Sequence, residues 1–351
     1  QTPMNLDLLS DLTLPSIPDS GLPRKKLLVH LSGDDYILRI DNTSLESFAA
    51  CDRAAFYRLI LGRTTQNSAA IAYGQAIHSA LEILYRDGLD FKQMLKAGFQ
   101  ELAKHPTGDG EWRNPEAFEK AIRTYVKHYK LDSGPDFFQL HTFDGAPAVE
   151  LRFADELGQF TLDSSLPFSR GLLVQGFDDN DNDPLFISKL YIEWTGVMDL
   201  LVSQNGQNWI VDHKTTSIEG PSYYDGFELS QQFIGYARAA QKLLGQPVEG
   251  ALLNAIIGRK PTKTGKSLDF TRRFYRYPAY LHDEWQHDVL NLIDDFIHRL
   301  RESYFPKRTL WCVNKFSTCP YLSVCKLPAG QRDILLQTSN YSNYTWDPTK
   351  K

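Results

Sequence analysis

The stretch Trp194-Thr-Gly-Val-Met-Asp-Leu-Leu-Val-Ser-Gln-Asn-Gly-Gln-Asn-Trp-Ile-Val-Asp-His-Lys-Thr215 decides how this chain folds. Two runs rich in apolar and β-branched residues flank Asn205-Gly206, the strongest short-range signal for a two-residue hairpin turn. With Asn205 and Gly206 as the loop, Gln204 faces Gln207, Leu201 faces Ile210 and Asp199 faces Asp212. Two carboxylates are thereby expected to meet across one ladder.

Side chains alternate along a strand, so Val197, Asp199 and Leu201 share a face with Ile210, Asp212 and Lys214. Directly opposed Cβ atoms lie about 5 Å apart, where like charges destabilise a sheet. A lone strand aspartate ordinarily faces solvent, but the apolar neighbours on this face argue against that for the trio. A divalent cation between the carboxylates would offset their repulsion, with Lys214 placed to hold a developing oxyanion or to orient a water.

Gly196-x-x-Asp199, followed thirteen positions later by Asp212-x-Lys214, resembles the core of the PD-(D/E)xK nuclease superfamily, and within it the RecB-like branch. The resemblance implies an α/β fold, a central mixed sheet flanked by helices, and Mg²⁺- or Mn²⁺-dependent hydrolysis of DNA phosphodiesters. Asp199 and Asp212 would then hold the metal, with the backbone carbonyl of His213 as a further ligand. Lys214 would steady the nucleophile or the transition state.

Composition sets the frame around this hairpin. With 351 residues, 42% of them hydrophobic, the chain can bury a large core. Its net charge of −5 leaves nucleic-acid contact to local basic patches. No apolar run reaches the ~18 residues of a membrane span, and the first residues carry neither a basic n-region nor an apolar h-region. A cytoplasmic protein is expected. Four cysteines are too few for a disulfide scaffold and suit metal or cluster ligation.

Residues 1–40 read as an extended lead-in with one strand near Lys26–Leu31. A helical part follows over 41–135. Thr43-Ser-Leu-Glu46 reads as a capping box opening a helix that carries Phe48, Cys51, Ala55 and Leu59. A cysteine on such a face is ordinarily a small core residue. The next helix, Ala69 to Arg86, puts Gly74, His78, Leu81 and Tyr85 on one face, where a histidine is ordinarily a satisfied core group. The family resemblance extends to Gly74-x-x-x-His78, which implies that His78 ligates the metal. Residues 90–130 read as two more helices around a loop beginning at Pro106.

The expected nuclease core spans 136–278. Val149–Phe153 and Gln159–Leu162 read as strands, and related nucleases place an acid where Glu150 stands. Asp178-Asp-Asn-Asp-Asn-Asp183 imitates a calcium loop, but Pro184 and Leu190 occupy the positions that need glycine and glutamate, so a solvated turn is expected. Glu228 to Leu244 reads as a helix with Gln232 and Tyr236 on one face. RecB-like nucleases carry a Gln-x-x-x-Tyr helix directly after the Asp-x-Lys strand, which implies that Gln232 and Tyr236 position DNA or the lysine. Val248–Ile257 reads as a buried strand. After it, Gly265-Lys266-Ser267 imitates a phosphate loop but has Lys260 where glycine is required. Arg259, Lys260, Lys263 and Lys266, with Arg272, Arg273 and Arg276, could contact a DNA backbone or simply be solvated.

Residues 279–326 read as a long helix from Tyr280 to Tyr304 and then Cys312, Cys319 and Cys325; 327–351 read as a tail. The cysteine spacing fits the paired ligands of zinc sites poorly, whereas iron–sulfur clusters take four thiolates from varied spacings. Cys51 is the remaining cysteine. One cysteine before the core and three after it resembles the iron–sulfur nucleases of recombination complexes, CRISPR adaptation and phages. That likeness implies a [4Fe-4S] cluster stapling the chain ends and partners such as a helicase or recombinase. A zinc staple, and a catalytically silent nuclease-like subunit that only binds DNA or a partner, stay open as alternatives.

Overall fold

The computed structural model describes residues 28–65, 68–104, 112–129, 137–169, 184–261, 267–313 and 318–343. Its principal elements are β1 (Leu28–Ser32), β2 (Asp35–Ile40), α1 (Asn42–Ala50), α2 (Ala69–Asp87), α3 (Phe91–Lys104), α4 (Pro115–Tyr129), β3 (Val149–Thr161), β4 (Lys189–Gln204), β5 (Gln207–Thr216), α5 (Gln231–Leu244), β6 (Gly250–Gly258), β7 (Leu268–Arg276) and α6 (Ala279–Glu302). Together they make a mixed α/β fold. Contacts gather them into two compact units, one drawn from Gln1–Thr64, Ala154–Thr195 and Val289–Lys350, the other from Thr65–Phe153 and Gly196–Asp288. Strands β3 and β4 run covalently from one unit into the other.

In the first unit, β1 and β2 form a hairpin, and β2 runs parallel to the opening residues of β4, from Asp35 beside Lys189 to Ile40 beside Trp194. The strand expected near Lys26–Leu31 is present as β1, and residues 35–40, read as extended lead-in, are sheet as well. The short run Tyr36-Ile-Leu-Arg-Ile40 hid this because Ile37, Leu38 and Ile40 are all buried, so it lacks the alternation that marks a half-exposed strand. Helix α1 is capped two residues earlier than Thr43-Ser-Leu-Glu46 suggests. The Asp41 carboxylate accepts from the Ser44 N–H at 2.7 Å, and the Ser44 hydroxyl accepts from the Asp41 N–H at 2.8 Å. The helix expected to carry on through Cys51 and Leu59 stops at Cys51, whose backbone is extended, and resumes as a short turn at Asp52–Ala55 and a wider π-type turn at Phe56–Ile60.

The second unit holds the decisive hairpin. Asn205 and Gly206 both have positive φ, 52° and 76°, as a twist-matched two-residue turn requires. The ladder runs from Gln204 opposite Gln207 to Leu200 opposite Val211. On its other edge β5 runs parallel to β6, and β6 antiparallel to β7. Every residue of β6 is buried, as expected of a strand paired on both edges and covered on both faces. Helices α2, α3 and α4 pack against one another and against Ile256 and Phe270 of the sheet. Gly98 is what allows the closest approach: a Cβ there would lie 2.0 Å from the Phe118 ring.

The strands expected at Val149–Phe153 and Gln159–Leu162 are one strand, β3, because the polar middle residue Asp155 is itself buried. Lys26, the loop beginning at Pro106, the acidic turn 178–183, Lys263, Lys266 and residues 344–351 lie outside the described residues. Among those described, no helix is long and apolar enough to cross a membrane.

Candidate metal and catalytic site

Asp199 and Asp212 are 3% and 4% exposed, so each is a buried carboxylate that needs partners. They find different ones. The Asp199 Oδ2 accepts the backbone N–H of His213 at 2.6 Å, a bond that crosses from β4 to β5 just beyond the last paired residues of the ladder. Its Oδ1 lies 3.4 Å from the His78 Nδ1. One ligand atom each from His78, Glu150 and Asp199 lie within 4.8 Å of one another, the single such grouping of metal-ligating side chains among the described residues.

Helix α2 delivers His78 because Gly74, one turn earlier, lets the helix lie against β5; a Cβ at Gly74 would stand 3.0 Å from the Thr215 Oγ1. Glu150 reaches the group from the start of β3, where its φ is 51°. A positive φ at a glutamate costs on the order of 1–3 kcal/mol and persists only where surrounding structure imposes it. One nitrogen and two carboxylates form a hard donor set suited to Mg²⁺ or Mn²⁺, and two acids brought this close gain from a cation between them.

Asp212 does not join that set of closest ligand atoms. Its Oδ2 lies 2.8 Å from the Lys214 ammonium, and its Oδ1 accepts from the Gln232 Nε2 at 3.2 Å. The Gln232 Oε1 in turn accepts from Lys214 at 2.9 Å, which closes a triangle. The cap of Ser230 on the Phe233 N–H starts α5 so that Gln232 falls on the face toward β5. Tyr236, one turn on, packs its ring edge-on against Phe153 over Gly196, where a Cβ would be 2.8 Å from Phe153 and 3.0 Å from Tyr236. The glycine of Gly196-x-x-Asp199 is thus explained by ring packing.

The His213 imidazole turns away from this constellation. Its Nδ1 accepts from the Asn254 Nδ2 at 2.7 Å, and burial, reinforced by His78, Arg272 and Lys214, pushes its pKa well below the ordinary value, so the ring is neutral. Sequence reasoning missed the row to which it belongs. His213 neighbours Asn254 in the β5–β6 ladder, and Asn254 neighbours Arg272 in the β6–β7 ladder. The fully buried Asn254 also donates to the Tyr125 hydroxyl at 2.8 Å and accepts from the Arg272 Nε at 3.3 Å. A single asparagine inside the apolar run 248–257 was the only signal of it.

The same row takes Arg272 out of the expected basic patch. Arg272 lies 3.7 Å over the Tyr129 ring and donates to Tyr85 and Tyr125, so it supports the core and does not face a DNA backbone. Arg273 lies over Tyr224, Arg276 pairs with Glu249 and Arg259 with Glu219, while Lys260 is exposed.

All four cysteines fall in the first unit as free thiols. Cys51 sits at the break after α1, where its Sγ accepts the Arg308 N–H at 3.5 Å. The Cys319 N–H donates to the Cys312 carbonyl at 2.9 Å beside a bridge between Val313 and Thr318, so the wide gap between these two cysteines is closed on itself. Cys325 ends the turn Leu322–Cys325. Burial raises the Cys319 thiol, with Cys51 and Cys312 adding to the effect; burial also raises Cys325, with the other three cysteines adding to it. Cys319 and Cys325 therefore lie within electrostatic reach of the other cysteines.

A profile of the PD-(D/E)XK nuclease superfamily matches residues 42–326, most of the chain and every element just described except β1 and β2. No curated protein matches the chain in sequence. Among solved structures it is similar to a proposed exonuclease from Eubacterium rectale, at 13% identity and a TM-score of 0.44, covering 93% of this chain and 100% of that one. That likeness is too remote to bear on function.

Proposed function

Given that the chain belongs to the PD-(D/E)XK nuclease superfamily, we propose that it is a metal-dependent deoxyribonuclease of the RecB-like type, acting as an exonuclease on single strands or DNA ends. The observation that carries this reading is the convergence of His78, Glu150 and Asp199 beside a lysine locked by Asp212 and Gln232. His78, Glu150 and Asp199 would hold Mg²⁺ or Mn²⁺, with Asp212 and the His213 carbonyl completing the ligands as the family pattern implies. The bound ion supplies Lewis-acid polarisation of the phosphate and lowers the pKa of a water.

The chain's own groups supply the rest. Lys214 would carry a positive charge to the place where negative charge develops, aimed there before the reaction begins. Asp212 and Gln232 hold its ammonium in one position, so little reorganisation accompanies the reaction. Asp199 anchors to the His213 N–H, which fixes its remaining oxygen toward His78.

The four cysteines would hold a [4Fe-4S] cluster, since four thiolates drawn from Cys51 and the 312–325 segment suit a cationic centre whose ligands come at varied spacings. A partner helicase or recombinase and a cytoplasmic setting complete the proposal. The silent-subunit alternative would be favoured by a missing ligand or lysine, and none is missing.

End-labelled single- and double-stranded DNA incubated with the protein and Mn²⁺ provides the test. Shortened products that disappear with EDTA and with Lys214→Ala are expected; intact DNA under every metal condition would defeat the proposal.

A further inference from the structure

Next to the catalytic strand lie two small cavities that the reading above does not use. Both share Tyr73, Trp112 and Gly258. The one on the Lys214 side, about 220 Å³, is lined also by Arg113, Ile256 and the run Thr215–Ile218 that leaves β5 directly after the lysine. It is smaller than the roughly 300–1,000 Å³ clefts that enclose whole small-molecule ligands, and so suits one planar ring.

We propose that this cavity is a base slot, in which the Trp112 indole stacks an unpaired nucleobase of the strand being cut, next to the scissile phosphate. The proposal rests on the nuclease reading and names the substrate class of that site. Four observations place it there. Thr215 follows Lys214, and Tyr73 precedes His78 by five residues, so the nearer α2 wall of the slot lies about 7.5 Å along that helix from the proposed metal ligand at 1.5 Å per residue. That separation is of the order of one nucleotide.

Trp112 is fixed in place by its neighbours, and a base entering the cavity takes the ring face that the Arg113 guanidinium covers, shifting that guanidinium aside. The Trp112 ring edge abuts Gly258, where a Cβ would come within 3.0 Å of it, its face carries the Arg113 guanidinium at 4.4 Å, and Tyr73 tilts against it at 6.0 Å. Third, Arg113 brings to the cavity a guanidinium of the kind that pairs with phosphate oxygens. Fourth, the far wall ends in Ile218, which is 44% exposed although apolar, as expected of a side chain that gains cover when a base enters.

Charge selects weakly here, because Arg259 on the neighbouring cavity pairs with Glu219 and Glu116 offsets Lys120 on the same rim. Stacking therefore sets the preference, which is sequence-tolerant since every base offers a π-face. A base in the slot cannot also be paired, so single-stranded DNA or a frayed end is favoured over a closed duplex.

The experiment measures binding without cleavage. In EDTA, the anisotropy of short labelled single strands is titrated with the wild-type protein, Trp112→Ala and Trp112→Phe, using oligonucleotides in which an abasic site is moved one position at a time. Trp112→Ala should weaken single-strand binding between about fivefold and 150-fold, the range of aromatic–base stacking, with Trp112→Phe restoring most of it. One abasic register should weaken the wild type by a similar factor and cost Trp112→Ala nothing more. Equal affinity of wild type and Trp112→Ala, or no sensitive register in the wild type, would overturn the slot. If Trp112→Ala fails to fold, the abasic series on the wild type decides alone. Cleavage with Mn²⁺ is scored separately: a protein that cuts DNA yet shows no register loses the slot and keeps the nuclease reading, and one that shows the register without cutting does the reverse.

Discussion

Lys214 and Asp199 do different work, and single substitutions should separate them. Lys214→Ala and Asp212→Ala are expected to abolish cleavage while melting within a few degrees of wild type, because the Lys214 side chain is 32% exposed and keeps Gln232 as a partner when Asp212 is removed. Retained cleavage in either variant, seen on end-labelled DNA, would remove them from catalysis. Asp199→Asn keeps an oxygen for the His213 N–H and removes one charge from the pair with Glu150, so metal-free stability should be equal or higher although cleavage is lost. Asn254→Leu should instead destabilise by about 1–3 kcal/mol in urea titration, since it strips buried partners from His213, Tyr125 and Arg272 at once. Asp199, Asp212, Lys214, His78 and the Gln232/Tyr236 pair were legible in the chain as candidates. Asn254 was not, because its meaning lies in two neighbouring ladders.

Helices reach this site through glycines that carry no conformational burden of their own. Gly98 lies under Phe118 with no room for a methyl, so Gly98→Ala should cost about 1–3 kcal/mol by overpacking, read as a lower urea midpoint at an unchanged slope. On α6, His282 is buried beside Arg238, and both lower its pKa while Asp283 raises it. The unfolded chain then binds the proton more readily than the folded one, so the stability due to His282 is present above about pH 6.5 and is lost as pH falls. Thermal melts from neutral to acid pH should fall less steeply for His282→Gln than for wild type; identical slopes would show that another group titrates. Helix placement was readable from periodicity to within a few residues. The break of the first helix at Cys51 was not, since Ala55 and Leu59 are buried whether or not the helix is continuous.

At the scale of the molecule, a cluster joining Cys51 to Cys312, Cys319 and Cys325 closes a very long loop and so acts chiefly on stability. Protein purified without oxygen is expected to be brown. Cys325→Ser should lower the melting temperature and hasten proteolysis within the first unit, where all four cysteines lie, while fragments of the second unit persist. Colourless protein carrying one zinc per chain would replace the iron–sulfur assignment.

The sequence by itself determined the hairpin at Asn205-Gly206, its register and the motif residues, because turn chemistry and strand alternation act over a few neighbouring positions. The tertiary structure alone decided that Glu150 stands with His78 and Asp199, that Asp212 is bound to Lys214 and Gln232, and that residues 28–40 join a sheet with residues 189–194. Each of these depends on contacts between segments distant in the chain. Burial on both faces erases the periodicity by which such segments could otherwise be recognised.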